Sequence, residues 1–196
     1  MFGSPVFAYG IDLHIEIKYG GIMEILSYVL SLLSLASMIT ASLIKGEKMK
    51  KTLFFVFCGN VLVATSYLVG GSGFNGAVSC YIGGVQAIIN YLFASKNKPF
   101  PKWIIVIYAL TFVVCNLAVG DFSPLVFIAV GATLCFVMSI AQPSGAKYRF
   151  WTLINICLWC AYDVLSKSYG ALITHIVLLV FNLAGMIIHD RKKKQI

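Results

Sequence analysis

Charged side chains are scarce in this sequence, and their scarcity excludes most soluble folds. Only 11% of the 196 residues are charged and 60% are hydrophobic, whereas about a quarter of a typical soluble domain is charged. A lipid bilayer is the environment that accommodates so much apolar surface. The net charge is +8, but the basic residues form short clusters between apolar runs and make no basic stripe with exposed aromatics. No nucleic-acid partner is therefore expected.

Proline is also rare, and none of the five prolines interrupts an apolar run. Runs close to the roughly 20 residues that a spanning helix needs predict seven transmembrane helices. Their approximate limits are 22–44, 52–70, 74–94, 103–119, 124–141, 150–168 and 170–189. The N-terminal stretch before the first run lacks the basic start and the cleavage site of a signal peptide. It is predicted to form an extracytoplasmic or interfacial lead.

Seven spans would bring nearly all the positive charge to one side of the membrane. All of the 15 basic residues except Lys18 and Lys167 follow helices 1, 3, 5 and 7. The positive-inside rule then predicts an outside N-terminus and a cytoplasmic C-terminus, in a multi-pass protein of the cell inner (cytoplasmic) membrane. Adding or removing one span would destroy this alternation.

Helices 2 and 3 resemble helices 6 and 7, which indicates an internal repeat. Each pair contains a basic start, a very short outer turn, a Gly-Ala pair and a long helix with a basic tail. The pairs Gly76-Ala77 and Gly170-Ala171 set an offset of 94 residues. The fold class is therefore predicted to be all-α, with two parallel three-helix bundles joined by a connector helix (3+1+3), a plan that some transporters use. The predicted units are a lead (1–21), a first repeat (22–95), connector helix 4 (96–122), a second repeat (123–189) and a basic cytoplasmic tail (190–196).

Polar side chains inside the spans fall at helical spacing. On helix 6, for example, Asn155, Trp159 and Asp163 are four residues apart. Polar groups are costly in lipid unless they face the bundle interior, so these stripes predict a substrate pathway at mid-membrane. The predicted pathway residues are Asn60, Tyr81, Gln86, Asn90, Asn155, Trp159, His175 and Asn182. Asp163 is predicted to be an entrance or proton-sensitive group, or else an outer-mouth residue paired with Lys167.

Two features of the sequence resemble a known group of proteins. The 3+1+3 plan with its tight second hairpin resembles the SWEET, PQ-loop and PnuC superfamily of small transporters. Within it, Lys50–Lys98 and Arg149–Arg191 look most like the bacterial YgjV inner-membrane protein family. The resemblance extends over roughly Met23–Arg191 and implies a transporter.

The SWEET resemblance also implies a substrate contact. In that family, a tryptophan on helix 6 and an asparagine on helix 7 hold the substrate. Trp159 matches the former, but His175 stands at the second position, and this departure weakens the case for a sugar. The repeat offset makes Thr65 and Tyr81 the counterparts of these two residues in the first half.

The sequence therefore favours a facilitative transporter of a small polar, mostly uncharged solute such as a nucleoside, a vitamin or a sugar. Such a protein can also self-associate as a homo-oligomer. The alternative is a membrane scaffold or assembly protein whose buried amides only hold helices together. An enzyme is not expected, because the sequence offers no catalytic constellation, and neither a metal ligand set nor a cofactor is predicted.

Overall fold

The computed structural model describes residues 6–45, 48–70, 74–96, 101–119, 124–165 and 169–190. Within these residues the chain forms seven α-helices and no strands, which confirms the all-α prediction. The helices are α1 (Val6–Leu43), α2 (Met49–Val69), α3 (Phe74–Ser95), α4 (Lys102–Val119), α5 (Pro124–Ile140), α6 (Gly145–Leu165) and α7 (Tyr169–Asp190). Five of the seven lie within about three residues of the predicted spans.

Two helices begin earlier than their apolar runs. α1 starts at Val6, directly after Pro5, and continues without a break through much of the segment predicted as a lead. α6 starts at Gly145, where the backbone N–H of Tyr148 donates to the carbonyl of Ser144 (2.9 Å). Helical hydrogen bonding does not depend on side-chain polarity, so a helix can extend beyond the hydrophobic stretch that identifies it.

Four helical segments of the described chain are long and apolar enough to cross a membrane: Gly21–Leu43, Met49–Val69, Ala77–Ser95 and Leu172–Asp190. Two shorter apolar helical segments are Trp103–Cys115 and Leu125–Ile140. Many large apolar side chains are exposed on outward faces, among them Ile25, Leu32, Leu110, Phe127, Ile173 and Val180. Lipid contact is the setting in which such outer faces are stable.

Six of the helices form a closed circuit of neighbours. Helix α2 packs between α1 and α3, and α6 packs between α5 and α7. The two triplets meet along two seams, α1 against α7 and α3 against α5, and α4 packs on α5 and α3 over the second seam. Exchanging the triplets (α1 for α5, α2 for α6, α3 for α7) converts one seam into the other. The order of neighbouring helices is therefore the same in the two triplets.

Two of the three corresponding helix pairs are equal in length, whereas α1 has 38 residues and α5 has 17. α2 and α6 each contain 21 residues, and α3 and α7 each contain 22. The C-terminal ends of α1, α3, α5 and α7 lie next to the N-terminal ends of α2 and α6, as the bonds described below show.

This end of the helix bundle is called the basic end, because most of the lysines and arginines of the sequence flank it.

Serine side chains fasten α1 to α2 within the first triplet. Ser34 donates to the carbonyl of Gly59 (2.7 Å), and Ser37 donates to that of Phe55 (2.9 Å). Ser27 makes the same kind of bond, to Ser66. These donors lie three to seven residues apart, on one face of α1. The two helices consequently behave as one packed unit.

Candidate functional site

The sequence-predicted residues Trp159, His175 and Asp163 lie together near the end of α6 that is opposite the basic end. The imidazole of His175 stacks on the indole of Trp159, with ring centroids 6.0 Å apart and planes inclined by 8°. Nδ1 of the same imidazole lies 2.6 Å from Oδ2 of Asp163. Tyr162 packs edge-on against Trp159, with centroids 5.3 Å apart. Helical spacing on α6 supplies the indole and the carboxylate, and α7 supplies the imidazole.

Asp163 is buried, although it lies two residues before the end of α6. A buried polar group needs a hydrogen-bond partner, and the imidazole of His175 provides one. Tyr67, which lies two residues before the end of α2, is close enough to interact electrostatically with Asp163. Lys167, the partner considered from the sequence, lies outside the described residues.

The first triplet contains a counterpart of the Trp159–His175 contact. The hydroxyl groups of Thr65 on α2 and Tyr81 on α3 are 3.1 Å apart. These are the two positions that the repeat offset relates to Trp159 and His175. Tyr81 is exposed. The same pair of helices is thus joined at the same place in each half, by hydroxyl groups in one and by stacked rings in the other.

Three of the predicted pathway amides bond to backbone carbonyls of neighbouring helices. Nδ2 of Asn90 donates to Ile140 (2.8 Å), and Nδ2 of Asn155 donates to Ala132 (2.7 Å). Nδ2 of Asn182 donates to Arg149 (2.9 Å). Bonds of this kind hold helices together in membranes. The structure therefore gives these side chains a packing role, whatever else they do.

The remaining two predicted residues are also buried. Nδ2 of Asn60 donates to Val56 one turn earlier in its own helix (2.8 Å), and its side chain fits against Gly83 of α3. Gln86 is 2% exposed, and neither atom of its amide has a hydrogen-bond partner among the described residues. A buried amide without partners is unusual and marks a place where water or a polar ligand can bind.

Arg149 is a buried residue that sequence reasoning assigned to a loop. It is 1% exposed. Its Nε donates to Asp190 (3.0 Å), Nη2 donates to the other oxygen of the same carboxylate, and Nη1 donates to the carbonyl of Ile44 at the end of α1 (3.0 Å). His189 lies 2.8 Å from the carbonyl of Leu43 through Nε2. The cluster joins α1, α6 and α7 across the seam between the triplets.

The seam between α3 and α5 is joined differently. Asn90 reaches the carbonyl of Ile140, the last residue of α5, as His189 reaches that of Leu43, the last residue of α1. Such carbonyls have no partner within their own helix. In each seam, the carbonyl of the last residue of a helix is thus contacted by a side chain from the other triplet. That side chain is the Asn90 amide in one seam and the His189 imidazole, next to the Arg149–Asp190 ion pair, in the other.

Apolar side chains fill the space between the triplets at the basic end. The cluster contains Ala41, Leu53, Val56, Ala87, Ile140 and Tyr148, which come from five helices. All six are buried. Residues of both triplets therefore pack together at the basic end, while the aromatic and polar groups around Trp159 lie toward the other end.

Among the described residues, no group of three or more histidine, cysteine, aspartate or glutamate side chains is placed to hold a metal ion. The six cysteines are free thiols, and Cys157 of the Cys157–Cys160 pair is exposed on the surface of α6.

The family model of a bacterial inner membrane protein, Imp-YgjV, matches residues 22–193. The chain belongs to this family. The match extends over all seven helices except the first part of α1, and it includes every residue of the site described above. It agrees with the apolar helices and with a location in the bacterial inner membrane. Neither a curated protein nor a solved structure matches the chain.

Proposed function

We propose that the protein is a facilitative transporter that moves a small polar, mostly uncharged solute across the inner membrane. The observation that carries the proposal is the contact of Trp159 with His175 and of His175 with Asp163 inside apolar helices. Such groups are expensive in a membrane and usually mark a binding site or a pathway. Nucleosides, vitamins and sugars have the ring faces and hydrogen-bonding groups that an indole and a carboxylate bind.

Alternating access between the two triplets is part of this proposal. Bonds such as Ser34 to Gly59 within the first triplet and Asn155 to Ala132 within the second support rigid triplets. The seams between the triplets are then the places where relative motion occurs. The apolar cluster and the Arg149–Asp190 pair would keep the basic end closed while the opposite end admits solute.

The proposal includes the 3+1+3 layout of seven spans, with α4 as the connector. The repeated order of helix contacts and the equal lengths of α2 and α6, and of α3 and α7, support it. It also includes an outside N-terminus and a cytoplasmic basic end, since basic flanks favour the cytoplasmic side. A distant relationship to the SWEET, PQ-loop and PnuC transporters accounts for this layout. No catalytic activity is proposed, and self-association is compatible with one complete pathway per chain.

Uptake into proteoliposomes tests the transport proposal. We expect at least one labelled nucleoside, vitamin or sugar to enter vesicles that contain the protein faster than protein-free vesicles. Trp159→Ala should lower that rate about tenfold or more, because a buried aromatic side chain contributes on the order of 2 kcal/mol to binding.

Trp103→Ala is the matched control for this loss. Trp103 is 64% exposed on α4 and lies outside the site. Its replacement should leave uptake within about twofold, since surface substitutions rarely change stability by more than about 0.5 kcal/mol. Equal loss in both variants would remove Trp159 from the pathway.

A scaffold is the second candidate function, and the amide bonds favour it. Asn90, Asn155 and Asn182 each donate to a backbone carbonyl on a neighbouring helix, which is the arrangement expected of residues that only hold helices together. If no solute of the panel enters faster than into protein-free vesicles, while Asn155→Leu lowers the melting temperature, the scaffold becomes the better explanation.

A further inference from the structure

His175 presents a planar nitrogen heterocycle to the site. Its ring lies nearly parallel to the indole of Trp159, at an angle of 8°, and its Nδ1 lies 2.6 Å from the Asp163 carboxylate. One ring of the protein is therefore stacked on an aromatic face and joined to a carboxylate at the same time. These two contacts are the ones that a bound flat heterocycle would make.

The groups around the imidazole restrict what can replace it. Trp159 offers a flat apolar face, and Asp163 offers oxygen atoms that accept hydrogen bonds. Tyr162 packs edge-on against the indole, with ring planes inclined by 75°. A sugar can stack its C–H face on the indole and donate hydroxyl groups to the carboxylate, but it has neither the planar ring nor the ring nitrogen with which the imidazole makes these two contacts. A planar ring with an N–H group satisfies both Trp159 and Asp163.

Asp163 and His175 differ in how far their side chains are buried. The side chain of Asp163 is 3% exposed, whereas that of His175 is 23% exposed. The carboxylate is therefore enclosed, while the imidazole is partly exposed at the edge of the cluster. In the first triplet, the equivalent pair of Thr65 and Tyr81 provides neither a carboxylate nor an indole. The features that suit a heterocycle are confined to the second triplet.

We infer that the solute is a planar nitrogen heterocycle, such as a nucleobase or a heterocyclic vitamin, and that His175 occupies its place in the empty protein. The solute stacks on Trp159 and donates an N–H group to Asp163, and the imidazole turns away. His175 is thus a competitor of the solute, and Trp159 and Asp163 are its binding groups. This inference rests on the proposed function and narrows it, because it selects heterocycles over sugars.

Fluorescence of Trp159 tests the inference without a transport assay. The purified full-length protein carries Trp103→Phe and Trp151→Phe, so that Trp159 is the one remaining tryptophan of the three in the sequence. Its emission is titrated with nicotinamide and adenosine as planar probes and with glucose as the non-planar probe. Asp163→Asn and His175→Ala are then introduced separately, with Ile173→Ala as the control. Ile173 is an exposed neighbour on α7.

His175→Ala should strengthen binding if His175 competes with the solute, and should weaken binding if His175 contacts the solute. We expect saturable quenching by at least one planar probe and none by glucose. Asp163→Asn should weaken that binding about tenfold, because a hydrogen bond to a charged group contributes on the order of 1.5 kcal/mol. His175→Ala should strengthen binding of the planar probe about three- to tenfold, because no imidazole then has to leave the indole of Trp159 before the probe binds. Ile173→Ala should leave the affinity unchanged.

Three outcomes would overturn the inference. They are weaker binding in His175→Ala, quenching by glucose that equals or exceeds that of the planar probes, and no quenching by any planar probe. None of them decides the transport proposal, because uptake of a sugar that depends on Trp159 would leave the transporter standing and refute only the heterocycle. Absence of uptake for every solute, together with strong heterocycle binding, would instead indicate a binding protein.

Discussion

Arg149→Ala is expected to destabilise the protein more than any other single side-chain truncation at the basic end. Arg149 is 1% exposed and donates to Asp190 and to the carbonyl of Ile44. Its removal leaves a partly buried carboxylate without its cation and a helix-end carbonyl without its donor. Breaking a buried ion pair from one side costs about 3–5 kcal/mol. The expected observation is a large drop in the melting temperature of the detergent-solubilised protein.

Two further variants separate the ion pair from charge in general. Lys147 is exposed and lies two residues earlier on the same helix, so Lys147→Ala removes an equal charge from the same end without breaking the pair. We expect it to melt within a few degrees of the parent. Arg149→Lys should recover only part of the loss, because an ammonium group cannot bind both carboxylate oxygens and a carbonyl in the same fork. Similar melting of Arg149→Ala and Lys147→Ala would contradict the assignment.

Gly185→Ala is expected to disrupt the seam between α1 and α7. A Cβ atom at position 185 would lie 2.3 Å from the backbone oxygen of Ser42 and 3.2 Å from Cδ of Arg149. A backbone atom cannot move aside as a flexible side chain can, so the two helices would have to separate. Overpacking of this kind costs about 1–3 kcal/mol or more. The change is measured as a lower melting temperature, and the Arg149–Asp190 pair should be weakened with it.

Gly131→Ala provides the comparison at a glycine with space. The nearest heavy atom to a Cβ at position 131 is Cδ1 of Leu158, at 3.7 Å, an ordinary contact distance. Replacing a helical glycine by alanine then gains up to about 1 kcal/mol. The two alanine variants should therefore shift the melting temperature in opposite directions. If Gly185→Ala raised the melting temperature as well, the close approach of α7 to α1 would be wrong.

Much of the helix layout followed from the sequence, because length and apolar content determine which segments cross a bilayer. Hydropathy does not detect helical residues outside the apolar runs. The predicted starts of α1 and α6 are therefore later than the observed ones. Arg149 was missed for a related reason. Arg149 lies just before the sixth apolar run and is therefore expected in the connection after helix 5, although Asp190, just after the seventh run, is a complementary charge.

The candidate site was predicted as a set of residues but not as an arrangement. Spacing along α6 placed Trp159 and Asp163 on one face, but the sequence does not state how α7 is rotated against α6. The stacking of His175 and its contact with the carboxylate therefore needed coordinates. The hydrogen-bond acceptors of Asn90 and Asn155 could not be predicted either. Both are backbone carbonyls, which every residue has, and no sequence pattern marks the carbonyl that accepts.

The helices of this protein are joined largely by bonds in which only one partner is a side chain. Ser34, Asn155 and His189 all meet backbone oxygens, which any substitution on the opposite helix leaves in place. The side chains of the accepting helix can therefore change during evolution without loss of these bonds, as long as the donor side chain is retained. Paired substitutions should be rare at such contacts in an alignment of the family. Distant relatives can then share the architecture while their sequences retain little in common.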